Sequence, residues 1–385
     1  MTINEILSRA VDQILPSKEG LKKLMQKKKI RLYIGIDPTA TQLHLGHTVM
    51  LRKLQQFASL GHEAILLFGT GTVLVGDPSL KNRARKLITE KEIERNIATW
   101  KDQVKSIIDF NKVKIKHNGD WLLKLTLKDI IKIGSQISAV QLFKRDMFER
   151  RLKQGDTIWY HETMYPLLQG YDSVVMNVDL EIGGTDQTFN MLIGRELQQK
   201  MNQKEKFVLA GKMIPGTDGK PMSKTSANCI WLTDTANDMF GKLMKTQDQL
   251  MPDYLEFFTD KPIEEIKKLE QSLKSGKTHP MEVKKQLAFD ITSQFHGQKK
   301  AQAAQAHFEK TFQKREPEYK TAIAPQPTLA ATISKTVGST SEAKRLIKQG
   351  AVDISGATVH DPTRKIRGGE RIKIGKRTFV KVKKK

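Results

Sequence analysis

The sequence contains a single cysteine, Cys229, so no disulfide and no thiolate zinc cluster can form within the chain. It has no apolar run near the ~20 residues that a membrane-spanning helix requires. The first residues lack the apolar stretch of a signal peptide, and Glu5 and Asp12 are out of place in a transit peptide. These absences lead to the expectation of a cytoplasmic, reducing environment, no membrane association and no metal held by the chain itself. Acidic residues are also in short supply. Asp and Glu number 42 against 66 Lys and Arg, a formal net charge of +24. Such an excess favours a polyanionic partner, because each neutralised phosphate releases counterions. The excess is unevenly spread: residues 327–385 hold 15 Lys/Arg and 4 Asp/Glu, a net +11 on 59 residues.

A length of 385 residues predicts two or three domains, and a hydrophobic fraction of 38% is enough for real cores. Residues 5–27 have helical spacing, with Ile6, Val11, Ile14, Leu21 and Leu24 apolar. Arg31–Ile36 (RLYIGI) and Glu63–Phe68 (EAILLF) read as buried strands, and 47–61 between them as a helix. Strand, helix, strand suggests a right-handed parallel βαβ unit. A further amphipathic helix is expected over 91–110, a central strand over 174–178 and a helix over 190–199. Residues 235–320 read as nearly all helix, broken at Pro252, Pro262 and Pro280. Segment 324–327 (APQP) suits a stiff linker. Beyond it a basic module is expected, with a helix over 341–349 and strands over 351–354, 371–374 and 378–382.

Two motifs stand far apart. The first is His44-Leu45-Gly46-His47, between a strand and a helix. The second is Pro221-Met222-Ser223-Lys224-Thr225, in a Gly/Lys-rich stretch. Taken together and in this order, they resemble the HIGH and KMSKS signatures of class I aminoacyl-tRNA synthetases. Pro221 stands at the first Lys of the second signature, with Lys220 before it, and Thr225 stands at its final Ser. The chemistry suits these residue types. A carboxylate attacking the α-phosphate of ATP is already anionic and needs no general base. What it needs is alignment and stabilisation of growing phosphate charge. Imidazoles of His44 and His47 at a helix N-terminus add donors to an anion site, and Gly46 leaves room for a nucleotide. Lys224 on a loop can clamp pyrophosphate. Mg²⁺ is expected with ATP, held mainly by phosphates.

The segment YIGIDPTATQLHLGH, with VGDPS at 75–79, YPLLQGYDS at 165–173 and GGTDQ at 183–187, resembles the tyrosyl-tRNA synthetases. The resemblance runs from about residue 30 to the end of the chain. It implies that Tyr33 and Asp172 meet the substrate phenol. It implies that Asp77, Tyr165 and Gln169 bind its ammonium and that Gln187 lies near its carboxylate. Asp37, Thr39, Gly46 and Asp186 would line the ATP side, and Lys81 and Arg85 would belong to a mobile loop near the pyrophosphate. Spacing agrees: Tyr165 and Gln169 are i,i+4, and Gln169 and Asp172 i,i+3, so all three share one face of a helix over about 162–173. Glu181, where many members carry Gln, is left without a role.

The segment 340–382 is similar to the S4 RNA-binding module, carried by SEAKRLI at 341–347, Gly350-Ala351-Val352 and Gly375-Lys376-Arg377. Lys344, Arg345 and Lys348 are its candidates for RNA phosphate contacts. Phe379 is its only aromatic residue, which points to reading of RNA shape rather than of base edges. The helical region offers Lys242, Lys245, Lys267, Lys268, Lys284 and Lys285 on the anticodon side that the resemblance implies. The expected fold is an α/β Rossmann-type parallel-sheet catalytic domain (1–228), an α-helical domain (229–323) and a small α+β S4-like RNA-binding domain (324–385). The expected activity is tyrosine–tRNA ligation in a homodimer, with residues 110–170 as candidates for its interface and with L-tyrosine, ATP and tRNA(Tyr) as partners. Tryptophan activation, or a catalytically silent RNA-binding protein derived from a synthetase, remain alternatives.

Overall fold

The computed structural model describes residues 2–77, 88–143, 146–220, 222, 228–313, 319, 321–375 and 378–383. The chain divides into two compact units, Met1–Ala301 and Gln302–Lys385.

The first unit is organised by a six-stranded sheet. Its strands are β1 (Val11–Leu15), β2 (Arg31–Ile36), β3 (Glu63–Phe68), β4 (Val113–His117), β5 (Leu180–Gly184) and β6 (Phe207–Gly211), in the spatial order β1-β6-β5-β2-β3-β4. Every pairing is parallel except that of β1 with β6. The inner strands are runs of buried apolar side chains, as a parallel sheet covered on both faces requires. From β2 the order runs outward through β3 and β4, and from β5 it runs outward the opposite way. The crevice at the carboxyl ends of β2 and β5 is therefore a topological switch point, where α/β sheets bind ligands.

Helices α1 (Lys18–Lys27), α2 (Leu45–Ser59), α3 (Glu90–Val104), α4 (Tyr160–Met176) and α5 (Thr188–Asn202) accompany this sheet. Further helices α6 (Ala236–Leu243), α7 (Met251–Phe258), α8 (Ile263–Lys274) and α9 (Pro280–His296) pack through buried Phe240, Leu243, Tyr254, Phe258, Leu287 and Ile291. Arg9 fastens the end of α7: its guanidinium donates to the carbonyls of Leu255, Glu256, Thr259 and Lys261 at 2.7–3.2 Å. Of these, Glu256 O and Thr259 O belong to the last turn and cap of the helix, where carbonyls lack intrahelical donors. Buried Lys53 donates to Ile6 O at 2.6 Å and Arg9 O at 2.8 Å, and burial lowers its pKa to about 7.

The second unit holds β7 (Thr321–Ile323), β8 (Val352–Ile354), β9 (Ala357–Thr358), β10 (Arg371–Ile374) and β11 (Thr378–Val382), ordered β7-β11-β10-β8-β9. Helices α10 (Leu329–Val337) and α11 (Thr340–Lys348) close its core with Leu329, Ile333, Ala343 and Ile347 against Val352, Ile372 and Val380. Segment 324–327 lies inside this unit, between β7 and α10. Among the described residues no helix is long and apolar enough to cross a membrane.

Two expectations are corrected. Residues 5–27 are not one helix: Val11 and Ile14, spaced as on a helix, belong to β1, which pairs with β6 and is followed by Pro16 and the Ser17 cap of α1. Residues 174–178 are not a strand either. Their apolar run is the last turn of α4, which stops at Asn177 in the left-handed region (φ 47°), and β5 begins at Leu180.

Candidate active site

A cleft of about 420 Å³ opens at the β2/β5 switch point. Tyr33 of β2 and Asp37 and Thr39 of the loop after it reach the cleft. So do His44, Gly46 and His47 at the start of α2, and Asp77 beyond β3. Helix α4 contributes Tyr165, Gln169 and Asp172 from a single face, and the turn after β5 contributes Asp186 and Gln187. Lys81, Arg85 and Lys224 lie outside the described residues. Lys344, Arg345 and Lys348 sit exposed on α11 in the second unit.

One end of the cleft is lined by buried side chains. Tyr33 is wholly buried, and its hydroxyl shares a hydrogen bond with Ser173 Oγ at 2.9 Å. Burial, reinforced by the charges of Glu181 and Asp172, pushes its phenol well above the ordinary range, so it stays neutral and can donate. Asp172 is 1% exposed, and each of its oxygens has a donor: Trp121 Nε1 at 2.8 Å on Oδ1 and Asn118 Nδ2 at 3.0 Å on Oδ2. Burial pushes its carboxyl well above the usual range, and these two donors pull against that shift.

Further along, polar groups interlock. Tyr165 OH donates to Asp37 Oδ2 at 3.0 Å, and Thr72 Oγ1 to Asp37 Oδ1 at 2.8 Å. Gln187 Nε2 bridges Asp77 (2.8 Å) and Asp186 (3.0 Å). Asn190, buried on α5, donates to the carbonyl oxygens of Gln169 (3.0 Å) and Gln187 (3.1 Å). The chain therefore presents three carboxylates and an ordered set of amides along one wall.

At the other end His44 caps α2. Its backbone N–H donates to His47 Nδ1 at 3.2 Å, and the two rings meet at a tilt of 48° with centroids 3.9 Å apart. The backbone N–H groups of Leu45 and His47 already have acceptors in Ile230 O (2.8 Å) and His44 O (3.0 Å), so it is chiefly the helix dipole that favours an anion here. Gly46 has no spare space for a side chain: a Cβ would lie 3.0 Å from the His44 ring and 3.2 Å from Met222 Sδ. Met222 thereby brings the second motif to the first.

Sequence reasoning missed Asn118, Trp121, Ser173, Asn190 and Lys206. Glu181 carried a signal, an acid inside an apolar strand, yet was left unassigned. It is 2% exposed and forms an ion pair with Lys206, which is fully buried.

The family model of the tRNA synthetases class I (W and Y) matches residues 25–313. The chain belongs to this class I synthetase family. The tyrosine–tRNA ligase of Carboxydothermus hydrogenoformans is 39% identical over 400 residues, covering 98% of this chain and 97% of that one. That of Shewanella oneidensis is 41% identical over 386 residues, with 98% and 97% covered. The fold is similar to that of a truncated mitochondrial tyrosyl-tRNA synthetase of Aspergillus nidulans (TM-score 0.68, 20% identity, 80% and 94% covered). It is also similar to a tyrosyl-tRNA synthetase of Archaeoglobus fulgidus complexed with L-tyrosine (TM-score 0.63, 19% identity, 79% and 100% covered). Class I synthetases take ATP as substrate. The same cleft is lined by the start of α2 and by the buried polar groups of Tyr33 and Asp172.

Proposed function

We propose that this class I synthetase is a tyrosine–tRNA ligase. The observation that carries the reading is the closed end of the cleft, where Tyr33 and Asp172 stand buried beside Asn118 and Trp121. A phenol hydroxyl entering there meets hydrogen-bonding groups on both sides. A phenylalanine ring brings no partner for the remaining lone pairs of Tyr33 and Asp172 and forgoes the hydrogen bonds a phenol makes there, at about 1–3 kcal/mol for each bond to a buried polar group. An indole offers its N–H at a different position on a larger ring.

In this reading the ammonium of tyrosine is received by Asp77, Tyr165 and Gln169, and its carboxylate lies near Gln187. One carboxylate oxygen forms a bond to the α-phosphorus of ATP. The bond from that phosphorus to the bridging oxygen breaks, and pyrophosphate leaves with the electron pair. A terminal ribose hydroxyl of tRNA then attacks the carbonyl carbon and AMP departs. Asp37, Thr39, Gly46 and Asp186 line the ATP side, with Asp186 near the ribose. His44 and His47 stabilise growing phosphate charge, aided by Lys224, Lys81 and Arg85. Mg²⁺ accompanies the nucleotide. Asp37, Asp77 and Asp186 are already engaged by Thr72, Tyr165 and Gln187, so phosphate oxygens and water are its ligands in this reading.

The three-part division of labour is also part of the proposal: catalysis in 1–228, anticodon-side contact in 229–323 and an S4-like RNA-binding module in 324–385. Support for the module comes from α11, which buries Ala343 and Ile347 and exposes Lys344, Arg345 and Lys348. A homodimer is proposed through residues 110–170. Leu123, Leu127, Ile131, Val140, Trp159 and Tyr160 are each more than half exposed there, more apolar surface than water favours. The reaction is assigned to the cytoplasm. ATP–pyrophosphate exchange with tyrosine, tryptophan and phenylalanine tests the substrate. Exchange with tyrosine alone is expected, and exchange with tryptophan alone would replace this reading.

A further inference from the structure

Lys206, just before β6 and behind the lining of the cleft, pairs with Glu181 of β5, which is part of that lining; both side chains are buried. Lys206 Nζ also donates to Ser173 Oγ at 2.9 Å. Burial pulls the Lys206 pKa down, and the charge of Glu181 opposes that shift. Space for the ammonium depends on Gly194 of α5, where a Cβ would lie 2.6 Å from Nζ. Such a pair adds little net stability, since removing both charges from water offsets their attraction. Its contacts suggest another role. Gln169 Nε2 donates to Glu181 Oε1 at 3.0 Å. Ser173 Oγ donates to Glu181 Oε2 at 3.3 Å and is also the partner of the Tyr33 hydroxyl.

The carboxamide of Gln169 can face the cleft with its oxygen or, turned by half a rotation, with its NH₂. A carboxylate only accepts hydrogen bonds, whereas an amide or a neutral acid can also donate. An anionic Glu181 therefore forces the NH₂ of Gln169 inward and leaves its oxygen outward. That oxygen takes one hydrogen bond from Asn190 at 3.0 Å and keeps a second lone pair. We infer that Glu181, held by Lys206, is a positioning residue that locks the Gln169 carbonyl toward the amino group of the bound amino acid and so sets tyrosine affinity. The inference rests on the reading that Gln169 meets the substrate ammonium. If Gln169 turned, two sets of N–H donors would face each other.

The test uses full-length enzyme in the exchange assay, reading the KM for tyrosine, the KM for ATP and kcat. Glu181→Met combined with Lys206→Met removes the pair and leaves a packed apolar wall with no acceptor for Gln169. Glu181→Gln combined with Lys206→Met also removes both charges but keeps a carbonyl acceptor at 181. The first double variant is expected to raise the KM for tyrosine tenfold or more, with kcat and the KM for ATP within twofold of native. The second is expected to recover the KM for tyrosine only in part, because an amide at 181 accepts from Gln169 but can also donate and so no longer fixes its orientation. A native KM for tyrosine in the first variant would overturn the inference. So would losses in kcat and both KM values that track the fall in melting temperature equally in the two doubles. Gln169→Ala separates the two levels of argument. If it raises the KM for tyrosine while the first double does not, the positioning role fails alone. If it leaves the KM unchanged, the reading of Gln169 fails and the inference with it.

Discussion

The indole nitrogen of Trp121 donates to Oδ1 of Asp172 at 2.8 Å, and the two residues lie on elements 51 positions apart in sequence. Trp121 follows the carboxyl end of β4, whereas Asp172 lies on α4. Removing the donor leaves a buried carboxylate oxygen without its partner. Trp121→Phe is expected to weaken tyrosine by about 1–3 kcal/mol, roughly 5- to 150-fold, and to leave the KM for ATP within twofold. Asp172→Asn is expected to weaken tyrosine by at least as much and to lower discrimination against phenylalanine. Equal discrimination in native and Asp172→Asn enzyme, read from kcat/KM in the exchange assay, would remove Asp172 from the phenol site.

His47 is placed for charge that grows during reaction rather than for the ground state. His47→Ala is expected to slow tyrosyl-adenylate formation by about 10²-fold or more while tyrosine affinity stays within threefold. Rapid-mixing measurements of the activation step decide this. A lost affinity with an unchanged rate would contradict the role.

Lys53 makes the stability of the first unit depend on pH. Its folded pKa of about 7 lies below the ordinary lysine value of 10.5. Between these values the unfolded chain binds more protons, so stability rises with pH across this window. Below pH 7 the penalty for burying the charge is present in full. Native protein is therefore expected to gain about 2 kcal/mol relative to Lys53→Met between pH 7 and pH 9. Urea unfolding followed by tryptophan fluorescence reads this unit, because Trp100, Trp121, Trp159 and Trp231 all lie in it. A stability difference that does not change with pH would contradict it.

On α11, Arg345 is already paired, with Nε on Glu342 at 2.8 Å and Nη1 on Gln349 at 2.9 Å. Lys344 and Lys348 are therefore the better tests of RNA contact. Replacing both by Gln is expected to leave exchange unchanged and to flatten the dependence of tRNA affinity on salt. The slope of log K against log[salt] should fall by about 1 per lysine. An unchanged slope would remove α11 from the RNA surface. Charge neutralisation is a cleaner probe than a cut at residue 324, because β7 just before that point pairs with β11.

The sequence made β2 and β3 legible because they are unbroken apolar runs bounded by turn residues. It misled at Val11–Leu15, where Val11 and Ile14 fit a helical period and only pairing with β6 decides otherwise. It misled again at 174–178, because a short stretch with four apolar residues around Asn177 does not distinguish a strand from a helix end. In the site, Tyr165, Gln169 and Asp172 were legible through the resemblance to the tyrosyl-tRNA synthetases, with helical spacing in agreement, and His44, Gly46 and His47 through the HIGH-like motif at the start of α2. Asn118 and Trp121 were not. Their segment, NGDW, has no pattern of its own and reaches the cleft only because β4 ends beside β3. Lys206 looked like one more surface lysine among many. Its burial depends on the packing of α5 against β6, which no local pattern reports.

The central claim is that this cleft charges tRNA with tyrosine. The most direct measurement is the ATP-dependent transfer of labelled amino acid to tRNA(Tyr), followed as acid-precipitable counts for tyrosine and tryptophan in parallel. The account predicts tyrosine label on tRNA(Tyr), dependent on ATP and lost in Asp172→Asn at limiting tyrosine. Tryptophan label in its place, or no ATP-dependent label from active, folded protein, would contradict it.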